Sequence, residues 1–478
     1  MTASETASLT ALLRLGAEHL DESDPVLAGH LEREIARQKR VLSMVASSSV
    51  VDPTVLAAQA APAVNVTAEG YPGARYHAGC EVIDEIESLA IERAKKAFGA
   101  AYANVQVHSA TTANQLVMCS LLEPGDVILG MDLDAGGHLT HGAPPTLSGQ
   151  YFEAYGYGLD PEGGLDYDEV ARLARTHRPK LLICGTTAYP RQLDFARFRA
   201  IADDVGAWLL ADVTHIAGLI AAGLHPSSID HAHVTTTCTH KQLYGPRGGL
   251  ILSGRDHGRT SPKSGRNLAQ HLQSAVFPFF QGAPDLGSIA GKAVAFGRLE
   301  TAEFHALAER IVADARALAE GLGAAGWKLI TGGTDNHLLV VEVAPAGLTG
   351  CIAEGALERC GIVVNKNRVP GDRHPPSVAS GIRLGTNTLA RRGMGVEQME
   401  RCVELIDRVL RAVEPRGLRR FELDERLVRR VRLEVEALCA EFPLDCYGVT
   451  ENPSGNGAAR HEESDSARSR TAPRTDRA

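Results

Sequence analysis

Val234-Thr235-Thr236-Thr237-Cys238-Thr239-His240-Lys241-Gln242-Leu243-Tyr244-Gly245-Pro246-Arg247-Gly248-Gly249 is the stretch on which the fold turns. Its β-branched start predicts a strand. The strand ends in His240-Lys241 and passes through a Gly-Pro-Arg-Gly-Gly turn into a second apolar run, Gly249–Leu252. Upstream, Trp208-Leu209-Leu210-Ala211-Asp212-Val213-Thr214-His215 is a continuous apolar run closing on a polar residue. Tyr102–Val107, Val127–Gly130 and Leu181–Cys184 are further short runs, separated by helical stretches. Runs that are apolar without alternation predict strands buried on both faces. The fold class that follows is α/β, a mostly parallel sheet flanked by helices.

Around this centre the chain divides into four parts. Residues 1–64 form an N-terminal helical arm, in which Leu27, Leu31, Ile35 and Leu42 fall near one helical face. Residues 65–300 make the large α/β domain. It opens on a Gly-, Pro- and aromatic-rich loop over 65–80. A helix from Val82 to Phe98 follows, with Val82, Ile86, Leu89 and Ala90 on its apolar side and Glu85, Glu87 and Arg93 opposite. Residues 301–447 make a smaller C-terminal α+β domain: a long helix Ala302–Ala324, strands at Trp327–Ile330 and His337–Val343, and helices around Val396–Val413 and Glu425–Phe442. Residues 448–478 hold almost no large apolar residue and are expected to be disordered.

Charge and cysteine use narrow the function. Lys and Arg total 49 against 58 Asp and Glu, with no basic stripe, so a nucleic-acid partner is not expected. No apolar run approaches the roughly 20 residues that span a bilayer, and Met1–Glu5 does not read as a secretory signal. Nine scattered cysteines without a Cys-x-x-Cys pair predict neither a disulfide framework nor a metal site, and fit reduced thiols in the cytoplasm.

The chemistry concentrates at strand ends. Ligands of open α/β sheets bind at the carboxyl ends of the strands, where Lys241 and Asp212 both fall. A lysine there can form an imine with an aldehyde, and an aspartate can keep a pyridine nitrogen protonated, as pyridoxal phosphate requires. Alternatively, Lys241 is a surface side chain and Asp212 a helix cap. His108-Ser109-Ala110-Thr111-Thr112-Ala113-Asn114 lies between a strand and a helix and offers a phosphate cradle. His138, in Gly136-Gly137-His138-Leu139-Thr140-His141, could stack on a flat ring. Arg383, in Ser380-Gly381-Ile382-Arg383-Leu384-Gly385, could clamp a carboxylate.

Together with Ala68-Glu69-Gly70-Tyr71-Pro72-Gly73, Gly332-Gly333-Thr334-Asp335-Asn336-His337 and Val364-Asn365-Lys366-Asn367, these segments resemble the serine hydroxymethyltransferase family, fold-type I pyridoxal-phosphate enzymes, from about Leu42 to Phe442. The resemblance implies a seven-stranded sheet and a homodimer or homotetramer with shared active sites. It implies transfer of a hydroxymethyl group between L-serine and tetrahydrofolate, giving glycine and 5,10-methylenetetrahydrofolate. Lys241 would carry pyridoxal 5'-phosphate, with Asp212, His215, His138, Ser109, Thr111, Thr187 and Gly282 around it, Gly282 coming from a neighbouring subunit. Glu69 and His240 would join Lys241 and Asp212 in catalysis. Arg383, Ser47, Tyr76 and His77 would bind the amino acid, and Leu133, Gly137, His138, Leu139 and Asn365 the folate.

The chain departs from that pattern beside the substrate. Thr67 and His77 stand where the family has tyrosines, Ser48-Ser49 replace Glu-Asn, and Phe279-Phe280 replace two glycines. These changes keep two other readings open. One is a related aldol enzyme, either a 2-methylserine hydroxymethyltransferase or a folate-independent β-hydroxy amino acid aldolase or transaldolase. The other is a catalytically silent, cofactor-binding regulator.

Overall fold

The computed structural model describes residues 8–260 and 265–444. The polar tail expected to be disordered lies outside them. Seven strands build the large sheet: β1 (Tyr102–Asn104), β2 (Val127–Met131), β3 (Glu153–Tyr157), β4 (Leu181–Gly185), β5 (Trp208–Asp212), β6 (Val234–Cys238) and β7 (Gly249–Ser253). Their order is β1-β7-β6-β5-β4-β2-β3. From β6 to β3 every pairing is parallel, whereas β7 is antiparallel to both β6 and β1. The sheet is thus mostly parallel, as the apolar runs predict. The tight Gly245–Gly249 turn sends β7 straight back beside β6, which a parallel crossover could not do.

Strand β3 escaped the sequence reading. Glu153-Ala154-Tyr155-Gly156-Tyr157 is an edge strand, and only Tyr157 is buried. It therefore lacks the continuous apolar run that marks its neighbours. Strand β1 is shorter than Tyr102–Val107. Beyond Asn104 the buried Lys292 Nζ donates to the carbonyls of Val105 at 2.6 Å and Val107 at 3.1 Å, and the Val107 carbonyl also accepts from the Gly249 backbone at 2.7 Å.

Two helices precede the sheet, α1 (Leu9–Ser23) and α2 (Pro25–Arg40). Leu42 does not extend their apolar face. It starts a short strand parallel to Ile362–Val363 and is fully buried, whereas Leu27, Leu31 and Ile35 are exposed. Helix α3 (Glu81–Phe98) also differs from expectation. It buries Ile83, Glu87, Ala90, Ala94 and Phe98 and leaves Val82 66% and Leu89 46% exposed. Glu87 tolerates the interior because Arg75 Nη2 donates to it at 2.6 Å and Gln106 Nε2 at 2.8 Å.

A second sheet follows after residue 300: β8 (Lys328–Leu329), β9 (Leu338–Glu342), β10 (Asn365–Asn367) and β11 (Gly381–Gly385), in the order β8-β9-β11-β10 and antiparallel throughout. Leu339, Val341, Ile382 and Leu384 share an apolar core with Leu318, Leu322, Leu405 and Val435, and with Leu42 and Met44 of the N-terminal segment. Residues 65–80 are not wholly loop: Gly70–Tyr71 and Ala74–Arg75 form a small hairpin.

Candidate active site

The parallel strands stop at one edge of the large sheet, and the polar residues gather there. At the end of β5, Asp212 is buried, with its Oδ2 accepting from Asn114 Nδ2 at 2.8 Å and His141 Nε2 at 3.0 Å. Its Oδ1 accepts from the Thr214 backbone at 3.1 Å. Burial works against the charge. The His141 hydrogen bond and the imidazoles beside it outweigh burial and hold the carboxyl well below the usual carboxylate range. The neighbouring strand leaves room only because of Gly185, at φ 149°, where an added Cβ would lie 2.2 Å from the Asp212 carbonyl oxygen. Thr236 on β6 completes the set, donating to Asn114 Oδ1 at 2.6 Å.

Lys241 follows β6, the strand paired with β5. Its Nζ lies 2.8 Å from His215 Nε2. Burial, reinforced by Arg383 and Arg247, lowers its pKa against the opposing pull of Cys238 and Asp212. A lysine so placed loses its proton more readily and gains nucleophilicity. Burial also lowers His215 strongly, and its Nδ1 finds no partner; neither does the buried hydroxyl of Thr214. His337 stacks near His215, ring centres 5.7 Å apart, and burial drives it down to about 3.

Lys241, His215, His138, His240, Thr187, Ser47 and Arg383 line one cavity of about 770 Å³. Arg383 reaches it from β11 of the second sheet. Its Nη1 donates to the Thr187 carbonyl at 2.6 Å and its Nε to Asn365 Oδ1 at 3.0 Å, and burial lowers it to about 10. His138 and His240 are each driven to about 4, mainly by burial, so both imidazoles are neutral at pH 7.

Ser109 caps helix α4 (Ala110–Leu121) by accepting from the Thr112 backbone at 3.0 Å, and Thr111 is exposed on its first turn. Gly249 lets β7 pass against this cap: an added Cβ would stand 2.4 Å from the Ser109 carbonyl oxygen. Glu69, Tyr76, His77 and Gly282 are absent from the Lys241 cavity lining. They sit in a separate group: His77 Nε2 is 3.5 Å from Glu69 Oε2, a Cβ on Gly282 would be 3.6 Å from Glu69 Oε1, and Tyr76 packs edge-on against Phe277. Leu133, Leu139 and His138 line a second cavity of about 680 Å³. Gly137 is packed against the Met131 carbonyl, and Asn365 is engaged with Arg383.

The family model for serine hydroxymethyltransferase matches residues 20–406. The chain belongs to the serine hydroxymethyltransferase family. Among similar proteins, serine hydroxymethyltransferase 2 of Ralstonia nicotianae is 50% identical over 431 residues, 90% of this chain and 98% of the relative. Serine hydroxymethyltransferase 2 of Cupriavidus pinatubonensis is 49% identical with the same coverage. The serine hydroxymethyltransferase of Rhodospirillum centenum is 49% identical over 433 residues, 90% and 97% of the two chains. Serine hydroxymethyltransferases are pyridoxal-phosphate enzymes that use tetrahydrofolate as co-substrate. The residues here fit that cofactor. A buried carboxylate held ionised, an amine of lowered pKa, unpartnered Thr214 Oγ1 and His215 Nδ1, and a helix N-terminus carrying Ser109 and Thr111 together match a protonated ring, an aldehyde, polar ring substituents and a phosphate.

Asn114, His141 and His337 were missed as site residues. All three lie inside segments quoted above. The signal for Asn114 and His141 is the need of a buried Asp212 for donors; His337 packs on His215 and carries no such signal.

Proposed function

We propose that this chain interconverts L-serine plus tetrahydrofolate with glycine plus 5,10-methylenetetrahydrofolate. The observation that carries the reading is Lys241 and Asp212 at the ends of adjacent strands, with Arg383 facing Lys241 across one cavity. Bound pyridoxal phosphate supplies an electron sink for the bond broken at the substrate Cα. Lys241 would hold the cofactor. Asp212, kept ionised by Asn114 and His141, would hold a proton on the ring nitrogen. Neutral His138 would lie against the ring without repelling its charge, and His215 and Thr187 would meet its polar substituents. Ser109 and Thr111 would receive the phosphate. Arg383 and Ser47 would bind the amino-acid carboxylate, and His240 would flank Lys241. Leu133, Gly137, His138, Leu139 and Asn365 would serve the folate.

Glu69 is the proposed proton carrier for the serine hydroxyl. Its group does not line the Lys241 cavity, so the reading takes Glu69, Tyr76, His77 and Gly282 from the partner subunit of a homodimer or homotetramer. The exposed Val82, Leu89, Leu27, Leu31 and Ile35 support such an assembly. No helix among the described residues is long and apolar enough to cross a membrane, and no disulfide joins the described cysteines. Both facts are consistent with a cytoplasmic enzyme. The test is glycine formation from L-serine with tetrahydrofolate present or withheld; folate-independent turnover at an equal rate would overturn the reading.

A second reading keeps the chemistry and widens the substrate to 2-methylserine. His77 beside Glu69, where the family has tyrosine, favours it. His77→Tyr with Thr67→Tyr should then shift the kcat/KM ratio toward serine, by roughly tenfold to two-hundredfold for one methyl group.

A further inference from the structure

The second cavity has two unlike walls. One comprises Met131, Leu133, Leu139, Pro144 and residues 154–156 of the edge strand β3, mostly apolar side chain or backbone, with Asp132, Asp134, His138 and His141 among them. The other comes from the loop after β10 and contributes Arg368 and Pro376. Arg368 is the one lysine or arginine in that lining. Its Nη1 lies 2.5 Å from Asp134 Oδ1, on the opposite wall. Its Nη2 donates to the Asp372 carbonyl at 2.7 Å, and its buried Nε has no acceptor.

The loop behind it is fixed. Asp372 accepts from the Ser380 backbone at 2.8 Å, the Ser380 hydroxyl at 2.7 Å and the His374 backbone at 2.9 Å. Ser380 leads directly into β11, the strand of Arg383. The guanidinium therefore stands on a held loop, at the rim of an apolar slot, with its planar fork only partly used.

We propose that Arg368 anchors an anionic tail of the molecule that fills this cavity, and that Asp134 occupies the anchor until that molecule arrives. The ligand class is a flat heteroaromatic ring bearing a carboxylate tail. The proposal rests on the folate reading above and adds to it the residue pair that recognises the tail. The exchange replaces one carboxylate by another, so Arg368 stays paired throughout. Asp134 has 45% of its side chain exposed and returns to water at little loss. A ligand carboxylate can use two donors of the fork at once, which Asp134 does not.

The test measures equilibrium binding to the cofactor-loaded enzyme in saturating glycine, using 5-formyltetrahydrofolate and the same molecule without its glutamate, 5-formyltetrahydropteroate. Arg368→Ala should weaken the tailed probe roughly tenfold to a hundredfold and leave the tailless probe unchanged. Asp134→Ala should tighten the tailed probe alone. Arg368→Lys should recover part of the loss. Equal weakening of both probes by Arg368→Ala, or no effect of either substitution on the tailed probe, would overturn the anchor while leaving the folate reading standing. If the wild-type enzyme bound neither probe, the folate reading itself would fail, and the anchor with it.

Discussion

Lys241 shows how place makes a reactive residue out of an ordinary one. Burial and two nearby arginines disfavour its proton, while His215 Nε2 gives it an acceptor at 2.8 Å. The purified protein should be yellow, and borohydride should fix the cofactor to the peptide containing Lys241. Peptide mapping of Lys241→Ala checks this: a reduced cofactor–lysine adduct elsewhere would move the assignment. Arg383 is the matching residue proposed for the substrate. A charge-assisted hydrogen bond contributes about 1.5–3 kcal/mol, and a bidentate pair makes two. Arg383→Ala should therefore weaken glycine binding at least roughly tenfold while cofactor loading survives. Titrating the loaded variant with glycine reads both at once.

Between elements, buried charge is handled in two opposite ways. Arg75 is paired twice, to Asp84 at 2.8 Å and Glu87 at 2.6 Å, and also donates to the Gly70 carbonyl. It ties the hairpin that carries Glu69 and Tyr76 to helix α3. Removing it leaves Glu87 buried beside Gln106 alone, so Arg75→Ala should destabilise by about 3–5 kcal/mol. Chemical unfolding measures the loss, and Arg75→Met with Glu87→Leu should restore much of it.

Asp314, on the helix Ala302–Ala324, has the reverse problem. It is fully buried, neither carboxyl oxygen has a partner, and burial pushes it up to about 7 against the pull of Arg310. Below the ordinary value of 3.8 both folded and unfolded chains hold its proton; between 3.8 and about 7 only the folded chain does. Its stabilising contribution therefore declines as pH rises across that window, by about 1.4 kcal/mol per unit, and levels off above it. Asp314→Asn should remove that slope, so the variant should gain on wild type between pH 5 and pH 8 in parallel urea titrations.

For the whole molecule, the decisive prediction concerns shared sites. If Glu69 serves Lys241 of the partner subunit, mixed dimers of Lys241→Ala and Glu69→Gln chains hold one site with both residues intact. Random reassembly of two inactive variants should then recover about a quarter of wild-type activity. Activity that stays at the level of the separate variants would place both residues in one chain's site.

The apolar runs Leu181–Cys184 and Trp208–Ala211, with the β-branched run Val234–Thr237 beside them, determined a buried parallel sheet by themselves, because strands covered on both faces are rich in apolar and β-branched residues without alternation. For the same reason Lys241 and Asp212 stood out: a polar residue closing such a run lies at the rim where ligands bind. The edge strand Glu153–Tyr157 was illegible, since its exposed residues carry no burial signal. The buried face of Glu81–Phe98 was decided by tertiary structure. Only the folded chain brings Arg75 and Gln106 to Glu87 and so lets a carboxylate point inward. The side-chain donors that hold Asp212 come from residues 98 and 71 positions away. Local pattern cannot encode such pairings, because hydrogen bonds between distant segments depend on where the chain returns, and the fold alone sets that.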